Sequence, residues 1–192
     1  MARRRPDPMR YLLRRRQRRR VATFGVLAVG LVLFFADRSG LLLHPGSDWA
    51  RFHGQTHRVA GVVDGDTLDL AVRDGRRPTT RVRLWGVDTP ELGRDGRPAE
   101  RGAEAAWRRA EALALDRPVT LTLQRHRLRD RFGRVLAYVE LPDGRMLGET
   151  LIAEGLSPAD TRWSHDRLGR HTAREAEAKR RGVGLWTEAD PG

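Results

Sequence analysis

The chain has 192 residues, which is enough for one domain of ordinary size and an extension. It contains no cysteine, which excludes disulfide bonds, thiolate metal sites and a cysteine nucleophile, and its six histidines lack the spacing of a zinc site. Its net charge is +12, but ten arginines and one aspartate in residues 1–20 supply +9 of this. The rest of the chain carries a net charge of only +3, so charge alone is weak evidence for a nucleic-acid partner.

Residues 21–36 form an unbroken apolar run, VATFGVLAVGLVLFFA, directly after the arginine-rich tail. As a helix it would extend about 24 Å, slightly less than the roughly 30 Å hydrocarbon core of a bilayer. The alternatives are a cleaved signal peptide and a buried core helix. A core helix is disfavoured because the run is apolar on all faces, and Phe34 and Ala36 make a poor cleavage site.

We therefore predict a basic cytoplasmic tail at 1–20 and a single-pass transmembrane signal anchor at 21–36. The arginine cluster stays in the cytoplasm, which places the rest of the chain on the extracytoplasmic side of the cell membrane. Secretion after signal cleavage is the alternative. Residues 37–54 have glycine, proline and serine punctuation without a clear period, which predicts a linker.

Residues 55–188 are predicted to form the main domain. Short apolar segments between turn signals, with alternation at Leu68 and Leu70, predict five strands, at 57–63, 67–72, 80–87, 119–123 and 135–141. Helical spacing predicts three helices, at 98–115, 147–154 and 165–181. Five short strands with attached helices predict an α+β domain built on a small closed or partly open β-barrel.

The segment Asp64-Gly65-Asp66-Thr67 lies between the first two predicted strands. The same Asp-Gly pair recurs at positions 74, 95 and 143, so it is an ordinary turn device of this chain. Taken alone, the segment is better explained as a hairpin turn than as a metal ligand.

The segment RLWGVDTPE, residues 83–91, ends the third predicted strand. Its proline stops the strand and leaves Asp88 and Glu91 on a short, stiff loop. In an ideal strand Arg83 and Asp88 would point to opposite faces, because they are five residues apart. Both can face one site only if the strand twists or bulges, and Gly86 is a suitable place for that. A surface cluster of ion pairs is the alternative interpretation.

The segment Asp130-Arg131-Phe132-Gly133-Arg134 predicts a tight turn that enters the fifth strand. A charged loop with a solvated arginine is the alternative interpretation. Arginines also stand at positions 125, 127 and 129, so composition alone does not single out Arg134.

In this order, the three segments resemble the staphylococcal-nuclease-like (thermonuclease) family. The resemblance covers residues 56–187 and extends to further short motifs: Gly102-x-Glu104-Ala105, Leu136-Ala137-Tyr138, Asp143-Gly144 and Gly184-Leu185-Trp186. The family fold is an OB-type five-stranded barrel with three helices. The resemblance therefore implies the same α+β architecture that the strand and helix patterns predict.

The resemblance also implies roles for single residues. Asp66 and Asp88 correspond to the carboxylates that bind calcium (Ca2+), and the backbone carbonyl of Thr89 completes the protein ligands. Oxygen-only, carboxylate-rich donors suit this cation. Arg83 and Arg134 correspond to two phosphate-clamping arginines, whose planar guanidinium groups match phosphate oxygens.

Glu91 corresponds to the glutamate near the attacking water, as general base or as a group that positions that water.

The chain departs from the family pattern at two places that concern the nucleotide pocket. Phe132 replaces a usual tyrosine, and Thr161 and Trp163 stand where two tyrosines are known. Trp163 could stack on a base or pack against the barrel.

The function implied is a calcium-dependent, endonucleolytic phosphodiesterase acting on DNA, RNA or both, which leaves 3′-phosphate and 5′-hydroxyl ends. The partners are then a nucleic-acid substrate and the membrane, with a monomer as the default. One alternative is a non-catalytic OB-fold module that binds nucleic acid or protein at the membrane, and another is an interaction domain for an envelope protein. The chain has a charged residue at all five positions to which the resemblance assigns a role (Asp66, Arg83, Asp88, Glu91 and Arg134), and this favours the enzyme.

Overall fold

The structure is a computed structural model that describes residues 48–93 and 96–187. The predicted tail at 1–20, the predicted anchor at 21–36 and most of the predicted linker lie outside these ranges. Within them, no helix is long and apolar enough to cross a membrane.

The barrel predicted from the sequence is confirmed, because five strands close on themselves in the order β1-β2-β3-β5-β4. The strands are β1 (Thr56–Asp64), β2 (Thr67–Leu70), β3 (Thr80–Leu84), β4 (Pro118–Thr122) and β5 (Val135–Glu140). Neighbouring strands are antiparallel except β3 and β5, which run parallel from Val82↔Val135 to Leu84↔Ala137. The third strand ends at Leu84 rather than at the predicted residue 87, because the chain turns at Gly86.

Side chains alternate along the strands, so that apolar ones point into the barrel and charged ones point away from it. In β3 the side chains of Val82 and Leu84 are buried in the core, while the alternating residues Arg81 and Arg83 are only partly buried. This period of two follows from the pleat of a strand. It places Arg83 outside the barrel wall, close to the end of β3.

Four α-helices accompany the barrel within the described ranges: α1 (Asp48–Phe52), α2 (Ala103–Ala114), α3 (Leu147–Ala153) and α4 (Leu168–Arg181). The last three confirm the three predicted helices, although α2 and α4 begin later than the apolar spacing suggested. Helix α2 buries Ala103, Ala106, Ala110, Leu113 and Ala114. The predicted apolar stripe also included Ala99 and Trp107, but Ala99 precedes the helix and is exposed, and Trp107 is only partly buried. A short 3₁₀ turn, Gly184–Trp186, follows α4.

Helix α1 lies inside the range 37–54 that was predicted as a linker. Phe52 is fully buried in the barrel core, and Trp49 stacks on His53 with ring centroids 3.7 Å apart. The guanidinium of Arg129 contacts the carboxylate of Asp48 at 2.5 and 2.6 Å and that of Asp74 at 2.6 and 3.1 Å. The folded part of the chain therefore includes residues 48–54. The prediction that the linker extends to residue 54 is corrected accordingly.

Candidate active site

A sharp turn after β3 brings Arg83 and Asp88 to the same side of the chain. Gly86 adopts a left-handed conformation with φ of +75°, which a residue with a side chain rarely adopts. Beyond this turn the Oδ1 atom of Asp88 lies 2.7 Å from Nη2 of Arg83. The bend at Gly86 that the sequence required is thus present, as a turn rather than a bulge within the strand.

Two buried histidines hold the Gly86 turn from behind. The Nδ1 atom of His171 donates a hydrogen bond to the Gly86 carbonyl (3.0 Å). The Nδ1 atom of His165 lies 3.0 Å from the Tyr138 hydroxyl oxygen, and the two imidazole rings are 5.0 Å apart. Burial lowers the pKa of both histidines, so the neutral rings are favoured.

Arg83 lies between two carboxylates rather than in an exposed ion-pair cluster. One terminal nitrogen contacts Asp66 Oδ1, and the other contacts Asp88 Oδ1 and donates to the Val87 carbonyl at 3.0 Å. Its side chain is only 12% exposed. The guanidinium orientation is therefore fixed by contacts on two sides, while its outer edge lines a cleft.

Asp66 is buried beneath Arg83 and joins the first hairpin to the loop after β3. Its Oδ2 atom accepts a hydrogen bond from the Thr89 N–H (2.9 Å), and its Oδ1 atom accepts one from the Thr67 hydroxyl (3.0 Å). Burial raises the pKa of Asp66, and the charge of Arg83 opposes that rise. Gly65 allows this packing, because a Cβ there would lie 2.8 Å from the Thr89 side chain.

Glu91 lies at the rim of the cleft, on a loop attached to the segment before α2. Its backbone N–H donates to the Glu100 carboxylate, and the Glu100 N–H donates to the Glu91 carbonyl, both at 3.0 Å. The side chain of Glu91 is exposed and lines the cleft. The backbone is thus fixed while the carboxylate remains accessible to solvent.

Arg134 is positioned by the tight turn that precedes β5. Asp130 organises this turn, since its Oδ1 atom accepts hydrogen bonds from the N–H groups of Phe132 (2.9 Å) and Arg134 (3.0 Å). Its Oδ2 atom accepts a hydrogen bond from Arg134 Nε at 2.6 Å. The Nη1 atom of Arg134 also lies 3.4 Å from the Thr67 hydroxyl, which orients the guanidinium toward the Asp66 segment.

These side chains meet at one cleft of about 640 Å³. Of the residues predicted to act, Arg83, Asp88, Glu91 and Arg134 line it. Asp66 and Thr89 do not line it but lie buried behind Arg83 and Asp88.

Two exposed aromatic rings and further arginines belong to the same cleft. Phe132 and Trp163 are 63% and 53% exposed, and both line it. The guanidinium of Arg127 lies 4.4 Å from the Trp163 ring centroid, and that of Arg131 lies 4.7 Å from the Phe132 centroid. Trp163 is therefore available for stacking and is not packed into the barrel.

Sequence reasoning missed Asp160 and Arg162, which also line the cleft. The Asp160 N–H donates to the Gly86 carbonyl (3.0 Å), and its carboxylate accepts two hydrogen bonds from the Arg162 side chain. Arg162 then reaches Asp88 Oδ2 at 2.8 Å. No motif marks these two residues, because their link to Asp88 spans more than 70 positions of the chain.

Metal-binding capacity in the cleft rests on few groups. Among the residues that the structure describes, no three acidic or histidine side chains come together as a metal site. The predicted calcium ligands comprise two carboxylates, those of Asp66 and Asp88, and both contact Arg83.

Comparison with known proteins finds one matching family model and several similar proteins that are named as nucleases. Residues 81–188 match the model of the family described as staphylococcal nuclease homologue. An uncharacterized endonuclease of Escherichia coli is 33% identical over 145 residues, which cover 74% of this chain and 82% of that protein. A micrococcal nuclease of Shigella flexneri is 31% identical, with coverage of 73% and 76%. A thermonuclease of Staphylococcus intermedius is 34% identical, with coverage of 86% and 95%.

Proposed function

The chain belongs to the staphylococcal nuclease homologue family, and on that premise we propose that it is a nuclease that hydrolyses phosphodiester bonds in DNA, RNA or both. The observation that carries this proposal is that Arg83 and Arg134 meet Asp88 and Glu91 at one cleft. Two fixed guanidinium groups suit a phosphate, because each offers a planar fork of donors to its oxygens. The exposed carboxylate of Glu91 lies at the same cleft, where it can act on water.

Calcium is the cofactor that we propose, with the Asp66 and Asp88 carboxylates and the Thr89 carbonyl as its protein ligands. All three donors are oxygens, which this cation prefers. A carboxylate offers about four lone-pair positions. Asp66 accepts hydrogen bonds from Thr67, Arg83 and Thr89 and also interacts with the Asp64 side chain. Asp88 accepts two hydrogen bonds and is 40% exposed, so it keeps acceptor capacity at the cleft surface.

The Thr89 Oγ1 atom is also buried without a hydrogen-bond partner among the described residues, so this segment has an unsatisfied oxygen. The residues therefore fit an oxygen-coordinated cation. When bound, it would supply Lewis-acid stabilisation of the charge that develops on the phosphate.

In the proposed reaction Arg83 and Arg134 bind the phosphate and stabilise its transition state. Their N–H donors face the non-bridging oxygens, on which negative charge grows as water attacks phosphorus. Glu91 accepts or orients the proton of that water. The bond from phosphorus to the 5′ oxygen breaks, and that oxygen takes a proton from solvent, which leaves 3′-phosphate and 5′-hydroxyl ends. The name of the Escherichia coli relative, an endonuclease, supports internal cleavage.

A digest of DNA and RNA by the purified full-length protein tests this function. We expect cutting with calcium and none with excess chelator. Glu91→Gln should lower the rate by about 10²- to 10⁴-fold, the usual contribution of a general acid or base. The matched control is Glu104→Gln, which removes the same charge from an exposed position on α2. Full activity of Glu91→Gln would refute the assignment, and binding without cutting would favour the non-catalytic module.

We further propose that the domain is tethered outside the cytoplasmic membrane by residues 21–36. The support is the apolar run itself and the ten arginines that precede it, which favour cytoplasmic retention of the tail. Protease added to spheroplasts should degrade the C-terminal domain. Full protection of that domain would refute the orientation, and its release into the medium would indicate signal cleavage.

A further inference from the structure

Arg162 reaches across the cleft to a carboxylate on a distant segment. Its Nη2 atom lies 2.8 Å from Asp88 Oδ2, while Arg83 occupies Oδ1 of the same carboxylate at 2.7 Å. Both oxygens of Asp88 therefore contact a guanidinium group. The side chain of Asp88 is 40% exposed, so its partners are exchangeable groups at the cleft surface rather than a buried cluster.

The approach of Arg162 to Asp88 is built into the local fold. Asp160 accepts hydrogen bonds from the Arg162 backbone N–H (3.0 Å) and from Nε (2.8 Å), which fixes the direction of the side chain. Asp160 itself is tied to the Gly86 turn through its backbone N–H. The pKa of Arg162 is raised, first by Asp160 and then by Asp88, so the guanidinium is a permanent cation at this position.

An exposed ion pair contributes little to stability, often less than about 1 kcal/mol. Its position has a larger consequence, since Asp88 is one of the two carboxylates that the proposed function assigns to calcium. A divalent cation that binds Asp88 must compete with a positive charge already there. The effect is specific to Asp88, because Arg162 contacts Asp88 and Asp160 but not Asp66.

We propose that Arg162 is an internal counter-cation of Asp88 that competes with the divalent cation and so lowers the affinity of the site for calcium. This inference rests on the proposed function, because it takes Asp88 as a calcium ligand. In the absence of the cation Arg162 neutralises the exposed oxygen of Asp88. The loop around residues 160–162 thereby sets how much calcium the nuclease needs.

The expected size of the effect follows from the exposure of Arg162, whose side chain is 63% exposed. A unit charge at about 4 Å in a water-like environment changes a binding constant on the order of five-fold. Removing the Arg162 charge should therefore tighten calcium binding by about that factor.

Calorimetric titration of the full-length protein in detergent, with calcium chloride and no nucleic acid, tests the proposal. The test variant is Arg162→Gln. The matched control is Arg131→Gln, which removes the same charge from the same cleft, at a residue that lies over the Phe132 ring. We expect Arg162→Gln to bind calcium about five-fold more tightly and Arg131→Gln to stay within two-fold of the unchanged protein.

Three results would overturn the proposal, and they are distinguishable. Equal affinity of Arg162→Gln and the unchanged protein would refute the competition and leave the calcium assignment intact. An equal gain in both variants would show a general effect of cleft charge rather than competition at Asp88. Failure of the unchanged protein to bind calcium would refute the calcium assignment and this inference together.

Discussion

Replacing Gly86 with alanine would test whether the turn after β3 assembles the cleft. The backbone there has a φ of +75°, and a Cβ atom would lie 2.4 Å from the His165 ring and 2.8 Å from His171 Nδ1. Both rings are buried against neighbouring groups, so neither can withdraw freely.

The stability that Gly86→Ala would lose has two parts, which can be estimated separately. A left-handed conformation costs a residue with a side chain roughly 1–2 kcal/mol. Inserting a methyl group into a packed site costs about 1–3 kcal/mol. We therefore expect Gly86→Ala to lower the free energy of unfolding by about 2–5 kcal/mol. Activity should also fall, because the turn sets the distance between Arg83 and Asp88.

Urea denaturation of a fragment spanning residues 46–192 measures the loss of stability, and Gly144→Ala separates its two parts. Gly144 has a φ of +80°, but no atom lies within 4 Å of its Cβ position. That variant should lose only the conformational part, about 1–2 kcal/mol. If Gly86→Ala is no less stable than Gly144→Ala, the histidines do not constrain the turn. If Gly86→Ala keeps full activity, the turn does not position the site.

Two further predictions concern the core and the histidines behind the turn. Phe52→Ala should lower the free energy of unfolding by about 3–5 kcal/mol, because Phe52 is fully buried, whereas Phe132→Ala at an exposed ring should change it by less than about 0.5 kcal/mol. Equal effects in urea denaturation would contradict the docking of α1. Because burial lowers the pKa of His165 and His171, the unfolded chain binds protons first as pH falls below about 6.5. The two histidines should therefore lower stability from pH 7 to 5, by up to about 1.4 kcal/mol per pH unit each, whereas the raised pKa of Asp66 acts in the opposite direction. The stability of the variant H165Q/H171Q should fall less over this range than that of the unchanged protein, and an equal pH dependence of the two would contradict this origin.

The barrel was predictable because its signals are local. Alternating apolar residues define strands such as β3, a continuous apolar run defines β5, and the alanine stripe of α2 has a clear helical period. The exact end of β3 was not predictable, since an apolar Val87 follows the turn and reads as a continuation of the strand. Helix α1 has a single turn, which is too short for a period, and its stability depends on burial of Phe52 against strands that come later in the chain.

The candidate site was predictable where a proline-stiffened loop or a tight turn holds the side chain. Arg83 lies near the end of β3, Asp88 and Glu91 follow on one loop, and Asp130 orients Arg134 within a five-residue turn. That Arg162 lines the cleft could not be predicted from the sequence. Its contact with Asp88 depends on how a distant loop folds over the Gly86 turn, which no local pattern reports.

The parallel pairing of β3 with β5 makes the proposed phosphate clamp of Arg83 and Arg134 a product of long-range folding. Arg83 lies on β3 and Arg134 immediately precedes β5, 51 residues further along the chain, with α2 and β4 between them. Long-range pairing of this kind forms only after the cost of closing the intervening loop has been met. A nascent or unfolded chain therefore carries two unconnected arginines and no clamp. If the chain crosses a membrane before it folds, the nucleic acids of the producing cell never meet an assembled nuclease.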